Sequence, residues 1–367
     1  MVSDRYRLVW PENLFAWEAR RVADLHEDIL FSAGTYLLAE AFQDSAVVDA
    51  FTAETGAHRR AFATVNDYTN ARDWLRTLAS ESTRLIPYNL PQYYAERKGL
   101  TASTEQSFEV LGEQFANLLG DMQDRDYFPI AMPRECVDNN VDWLEVSQRV
   151  SRAISMPFSW SGNPAEAALW GEAILLSVME FFHDQSQRPR RPDYFHEFNG
   201  CGWHYTEHSA ESGSAIYRWR VNELLDRHKT GLNLARSGDE RGRLVQRFGS
   251  PFDTEADARA AEGAADPGDE VAHAIRSFRE RGASSTQKRS ALNLLAGALE
   301  PRRKKMKALL GKDEDDLFHI ANNFGIRHRN NHQRMNYGDE FLDYVFVAFL
   351  SSVRLMERIE ERQQDDG

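Results

Sequence analysis

Arg327 and His332, in the run Arg327-His328-Arg329-Asn330-Asn331-His332, are the pair of residues in this chain best suited to chemistry. Arginine stays protonated and grips a phosphate with two parallel N–H bonds. Histidine titrates near neutrality, so it can take a proton and return one. Together they suit cleavage of RNA without a metal. The 2′-hydroxyl must lose a proton, the leaving 5′-oxygen must gain one, and charge building on the phosphate must be neutralised. Arg327 and His332 are therefore the candidate catalytic residues. Asn330 is a candidate supporting group that orients the imidazole or the phosphate.

The spacing sets a condition. Residues five apart on a straight helix point about 140° away from each other. Arg327 and His332 can meet on one ligand if the helix ends between them, or if a second chain supplies the missing half. Asn330 and Asn331 are poor helix formers, and Gly338 follows, so an end there is allowed. A plainer reading competes: the C-terminus of a helix attracts Arg and His simply to satisfy its carbonyls and dipole.

The surroundings are locally basic. Arg302, Arg303, Lys304, Lys305, Lys307 and Lys312 come just before, with no acid among positions 301–312, and Arg329 and Arg334 flank the histidine. The whole chain carries a net charge of −13. Bulk charge therefore excludes it as a general nucleic-acid binder, and any RNA contact must use a local strip. Arg302, Arg303, Lys304, Lys305, Arg329 and Arg334 are the candidate RNA-binding residues.

Other constellations are weaker. Cys201, His204 and His208, with His196 nearby, have ligand-like spacing. Zinc needs four ligands, however, and only one cysteine takes part. Packing and polar networks are the preferred account, and no metal or cofactor is expected. Trp203, Tyr205, Tyr217 and Trp219 with Arg218 and Arg220 have the makings of a base-stacking surface, but aromatics at this density more often fill a core. Arg188-Pro189-Arg190-Arg191-Pro192 reads as a solvated linker. The chain has no Gly-x4-Gly-Lys-Ser/Thr loop, no Gly-x-Gly-x-x-Gly, no His-Glu-x-x-His and no Gly-x-Ser-x-Gly. That removes common nucleotide, metalloprotease and hydrolase readings.

The elements that position these residues read mainly as helix. Apolar residues at helical spacing run over 16–42, 61–86, 105–122 and 165–183, the last opened by Asn163-Pro164 as cap and first turn. A helix is expected over 215–227. A β-hairpin is expected over 231–248, where Leu232 and Leu234 alternate with Asn233 and Ser237-Gly238-Asp239 turns the chain. Four more helices over 270–280, 284–310, 313–329 and 337–362 have short connections and suggest an up-and-down bundle. The expected fold is mainly α. Residues 1–190 form a helical N-terminal domain, 191–253 an aromatic-rich helix and hairpin segment, 254–269 a linker, and 270–367 the bundle. No membrane-length apolar run or signal-peptide layout is present, and two cysteines make no disulfide framework. A cytoplasmic location is the expectation.

Residues of about 266–367 resemble the HEPN domain, a helical-bundle superfamily found in prokaryotic toxin and antiphage proteins. Its hallmark is Arg, four to six residues, then His, often with Asn, Asp or His directly after the Arg. Arg327, His328 and His332 fit that pattern. The resemblance implies a metal-independent endoribonuclease whose active site forms across a homodimer or higher oligomer. It makes Arg327 and His332 catalytic and His328 a supporting polar group. Tyr217-Arg218-Trp219-Arg220-Val221-Asn222-Glu223-Leu224-Leu225 with the hairpin after it resembles the middle of abortive-infection proteins that carry a C-terminal HEPN domain. The N-terminal region would then sense a trigger or hold the nuclease inactive. The expected partners are an RNA substrate, a second copy and an unknown trigger or inhibitor, with no membrane. Some family members are non-catalytic, and the alternative is a helical interaction module that binds a protein partner or RNA.

Overall fold

Prolines, side-chain caps and ion-paired turns cut the chain into shorter helices than its apolar periodicity suggests. A computed structural model describes residues 6–57, 63–89, 94–97, 108–136, 140–197, 201–248, 252–263, 266, 268–280, 282–323 and 339–365. The fold is mainly helical, with two small two-stranded antiparallel hairpins. It divides into two compact units, Met1–Arg220 and Val221–Gly367. Among the described residues, no helix is long and apolar enough to cross a membrane.

The first unit opens with α1 (Glu12–Ala23), α2 (Glu27–Ala41), α3 (Ala46–Thr55) and α4 (Val65–Ser80). The continuous helix expected over 16–42 breaks at residues 24–26. Asp24 ends α1 and accepts a hydrogen bond from Arg76 (2.8 Å), and His26 is extended. The break lets two short helices each turn an apolar side to one core: Phe15, Ala19 and Val22 from α1, and Leu30, Leu37 and Leu38 from α2. Thr64 and Asp67 form a capping box that fixes the start of α4. Next come α5 (Tyr94–Arg97), α6 (Phe108–Asp124), α7 (Trp143–Ile154) and α8 (Glu172–Gln185). Asn163 caps Ala165 as expected, but the turn it starts is a 3₁₀ segment, Pro164–Leu169, and α8 begins only after Gly171. That segment lies directly on α6. A Cβ at Gly112 would sit 2.3 Å from the Ala167 carbonyl oxygen, so α6 needs glycine there.

β1 (Arg188–His196) and β2 (Gly202–Ser209) then form a hairpin with bulges, followed by α9 (Ala210–Arg227). No strand is expected here from sequence, because Pro189 and Pro192 mimic a linker. A two-stranded ribbon has free edges, so proline costs it little pairing. Arg188 is not solvated but fully buried. It bonds Glu18 (3.1 Å) and Glu40 (3.0 Å), and its guanidinium lies over the Trp10 and Tyr36 rings. Tyr127 donates to Glu40 (2.7 Å), and Arg190 and Ser212 also reach Glu18. A buried guanidinium is tolerable only with partners of this kind.

The second unit contains β3 (Leu232–Leu234), β4 (Leu244–Gln246), α10 (Phe252–Glu262), α11 (Glu270–Arg279), α12 (Ser285–Leu299), α13 (Arg303–Leu310), α14 (Lys312–Asn323) and α15 (Asp339–Asp365). β3 and β4 are the hairpin expected over 231–248, in the register Leu232↔Gln246 to Leu234↔Leu244. The expected 191–253 segment is thus divided, with one hairpin in each unit.

The linker expected over 254–269 is instead mostly α10, a packed helix. Its Ala256 and Ala260 are buried in the core, since small side chains allow close approach. Its polar residues are paired: Asp257 with Arg279 (2.7 Å), and Arg259 with both Asp269 (2.8 Å) and Glu357 (2.9 Å). The helix expected over 284–310 is interrupted at Pro301 by one 3₁₀ turn, which separates α12 from α13. The core gathers Ile275, Phe278, Leu292, Leu295, Phe346 and Val353 from α11, α12 and α15. Phe278 and Phe346 stack with ring centres 4.0 Å apart. Each such buried ring stabilises the unit by roughly 1.5–3 kcal/mol.

Candidate functional site

α14 and α15 both pack on α12, and the arginine–histidine run lies between them in the chain. Arg327, His328, Arg329, Asn330, His332 and Arg334 all lie outside the described residues. What is described is their frame. The acids opening α14 do more than suit the helix dipole. Glu314 is fully buried and bonds Arg303 (2.6 Å), whose guanidinium lies over the buried Phe318 ring.

That contact changes the reading of the basic strip. The sequence 301–312 contains no acid, so Arg302 to Lys305 look like free cations. Folding brings acids from elsewhere to most of them. Arg302 bonds the Glu360 carboxylate of α15 (3.1 Å), and Lys305 lies 4.0 Å from the same group. Arg303 pairs with Glu314 and Lys307 with Asp315 (3.1 Å). The Lys307 bond holds the Asp315 carboxyl below its usual pKa. Lys304 is exposed. The strip is therefore a largely neutralised surface, and a phosphate would have to compete with carboxylates for Arg302, Arg303 and Lys305.

A different cluster assembles in the first unit. Cys136 arrives on the segment after α6, His196 ends β1, Cys201 directly precedes β2, and His204 lies within β2. Cys136 Sγ is 3.1 Å from His196 Nδ1 and 3.4 Å from His204 Nε2. The ligand atoms of Cys136, His196 and Cys201 all lie within 4.8 Å of one another. Both cysteines lie outside any disulfide and are buried, at 6% and 7% exposure. Hairpin pairing accounts for the convergence. His196 faces Gly202 across the ribbon, so the residues flanking Gly202 come beside the end of β1. Gly202 has φ +73°, which favours glycine and turns the chain sharply after Cys201. Arg134 donates to the Trp203 carbonyl (3.2 Å) and fixes the Cys136 segment against β2. Tyr194 stacks flat on His204 with centres 4.3 Å apart, and its ring meets His196 edge-on.

The sequence pattern pointed to Cys201, His196 and His204 but also to His208, which lies elsewhere. Its Nε2 bonds Asp126 (2.9 Å). Cys136 was not foreseen, because it is 60 residues before His196 and no local pattern marks it. The aromatics largely take the packing role expected of them. Tyr217 is fully buried and donates to the Met179 carbonyl, and Trp219 packs on Trp10 and Tyr88. Trp203 stays 43% exposed beside Phe195. Arg218 lies against His183 (3.5 Å) and Arg220 against Asp121 (3.7 Å). The chain matches no protein-family model, no curated protein and no solved structure.

Proposed function

We propose that the protein is a metal-independent endoribonuclease of a prokaryotic toxin or antiphage defence system, acting through Arg327 and His332 in a homodimer. The observation that supports this reading is the Arg-x4-His run, which in the sequence falls between α14 and α15; the HEPN resemblance implies such a run within a helical bundle. Arg327 binds the scissile phosphate. A dimer supplies two copies of His332, one neutral and one protonated. The neutral imidazole takes the 2′-hydroxyl proton as that oxygen attacks phosphorus. The P–O5′ bond breaks, and the imidazolium protonates the leaving oxygen. The products are a 2′,3′-cyclic phosphate and a 5′-hydroxyl. His328 and Asn330 support the site, and the first unit restrains the nuclease or recognises its trigger.

The test compares wild type, Arg327→Ala and His332→Ala on RNA in EDTA. Cleavage by wild type alone is expected, with 2′-deoxy substrates resistant. Equal cleavage by all three proteins would overturn the reading, as would no cleavage by wild type in any activated state. A second reading has its own support. With a net charge of −13 and most of the 302–307 cations already paired, a non-catalytic module that binds a protein partner is the alternative.

A further inference from the structure

We propose that Cys136, His196, Cys201 and His204 hold a zinc ion that pins the β1–β2 hairpin to the segment after α6. Three observations carry this.

The first is distance. Zinc bonds sulfur at about 2.3 Å and nitrogen at about 2.0 Å, so sulfur and nitrogen on one tetrahedron stand roughly 3.5 Å apart. The Cys136 sulfur lies 3.1 and 3.4 Å from the two imidazole nitrogens. The second is hydrogen-bond arithmetic. A thiol has one proton, so Cys136 can donate to only one of these nitrogens, and sulfur is a weak acceptor for the other. A cation placed between this sulfur and the two nitrogens would bond all three at once. Two thiolates also balance its charge in a buried place. The third is ring support. Tyr194 stacks on His204 and abuts His196, which restricts both imidazoles, and the ring nitrogens facing sulfur are Nδ1 of His196 and Nε2 of His204.

Cys136, His196 and Cys201 have ligand atoms within 4.8 Å of one another, and His204 Nε2 stands 3.4 Å from the Cys136 sulfur. Two thiolates and two imidazoles select zinc over the hard oxygen-seeking cations. Four protein ligands fill the shell, so the ion is structural and leaves no open position for a substrate. This departs from the metal-free expectation drawn from the sequence, in which Cys201 alone of the two cysteines takes part. It is independent of the ribonuclease reading. The ligands lie in the first unit, and cleavage without an added metal is compatible with a buried structural ion.

The experiment is metal analysis of the purified full chain, made without chelating resin, by plasma mass spectrometry. Wild type and His208→Ala are expected to carry about one zinc each, and Cys136→Ser and Cys201→Ser to lose most of it. Cobalt exchanged into wild type should give tetrahedral ligand-field bands and a thiolate charge-transfer band. This spectrum decides the matter even if the cysteine variants do not fold. Three results would overturn the proposal: wild type that takes up neither zinc nor cobalt, a Cys136→Ser protein that retains full zinc, or a Cys136–Cys201 disulfide in the reduced-purified chain. No RNA enters the measurement, so its failure leaves the nuclease test untouched.

Discussion

The two clusters of chemical interest are built in opposite ways. Arg327 and His332 belong to six consecutive residues, so their pattern is plain in sequence, while their convergence depends on a helix end or a second chain. Cys136, His196, Cys201 and His204 are spread over 69 positions and are brought together by one hairpin and one side-chain-to-backbone bond. A contiguous motif advertises chemistry without geometry. A dispersed one shows its geometry only once the chain has folded.

The sharpest way to break this contrast is at the motif. His332→Ala should lower RNA cleavage by about 10²–10⁴-fold, the usual worth of a positioned proton-transfer group. The zinc content and melting temperature of the first unit should not change. A variant that loses both cleavage and metal would show that the two clusters are not separate devices.

Next in size is the buried charge network. Glu18→Ala strips Arg188 and Arg190 of a carboxylate inside the first unit. Arg188 keeps Glu40, so the loss falls mainly on Arg190, and breaking a buried pair of this kind costs about 3–5 kcal/mol. Urea unfolding should show an early transition from the first unit with the second unmoved. Phe346→Ala makes the matching test in the second unit. Loss of its stacked contact with Phe278 should cost about 3–5 kcal/mol there and leave the first transition in place. One shared transition shifted equally by both variants would refute two independently stable units.

The smallest expected effect is a pH dependence. Burial pushes the Glu240 carboxyl up to about 7, against a downward pull from Arg279. The folded state then keeps a proton that the unfolded chain releases near its ordinary value of 4.5. Its contribution is therefore complete below 4.5 and is lost as pH rises toward 7. The change should be on the order of 1–2 kcal/mol, reduced by partial exposure to solvent. Glu240→Gln should flatten it, and an unchanged profile in that variant would assign the dependence to another group.

Local signals were legible where the physics is local. Asn163 marks a cap that the structure keeps, although it opens a 3₁₀ turn and not α8. The helix start expected at 284 carries a Ser284–Gln287 capping box, and the alternation of Leu232 and Leu234 marks the second hairpin. Long-range pairing was not legible. The run 302–307 looked like free positive charge because Glu314, Asp315 and Glu360 approach it only through folding. Residues 188–192 look like a linker because their partners, Glu18, Glu40, Glu207 and Ser212, stand far off or across the hairpin. Residues 254–269 looked like a linker because alanines and acids, read alone, do not disclose the arginines that neutralise them. Cys136 carries no local mark at all.

The Arg188 contacts also order events in time. Its partners Glu40 and Glu18 precede it by 148 and 170 residues. During synthesis α1 and α2 leave the ribosome long before their counter-charge does. A chain stopped anywhere before β1 holds two carboxylates prepared for a guanidinium that has not yet been made. Contacts this distant make closure slow. Completion of the first unit therefore waits on the hairpin, and shortened chains that end before residue 188 should remain unfinished and open to chaperones.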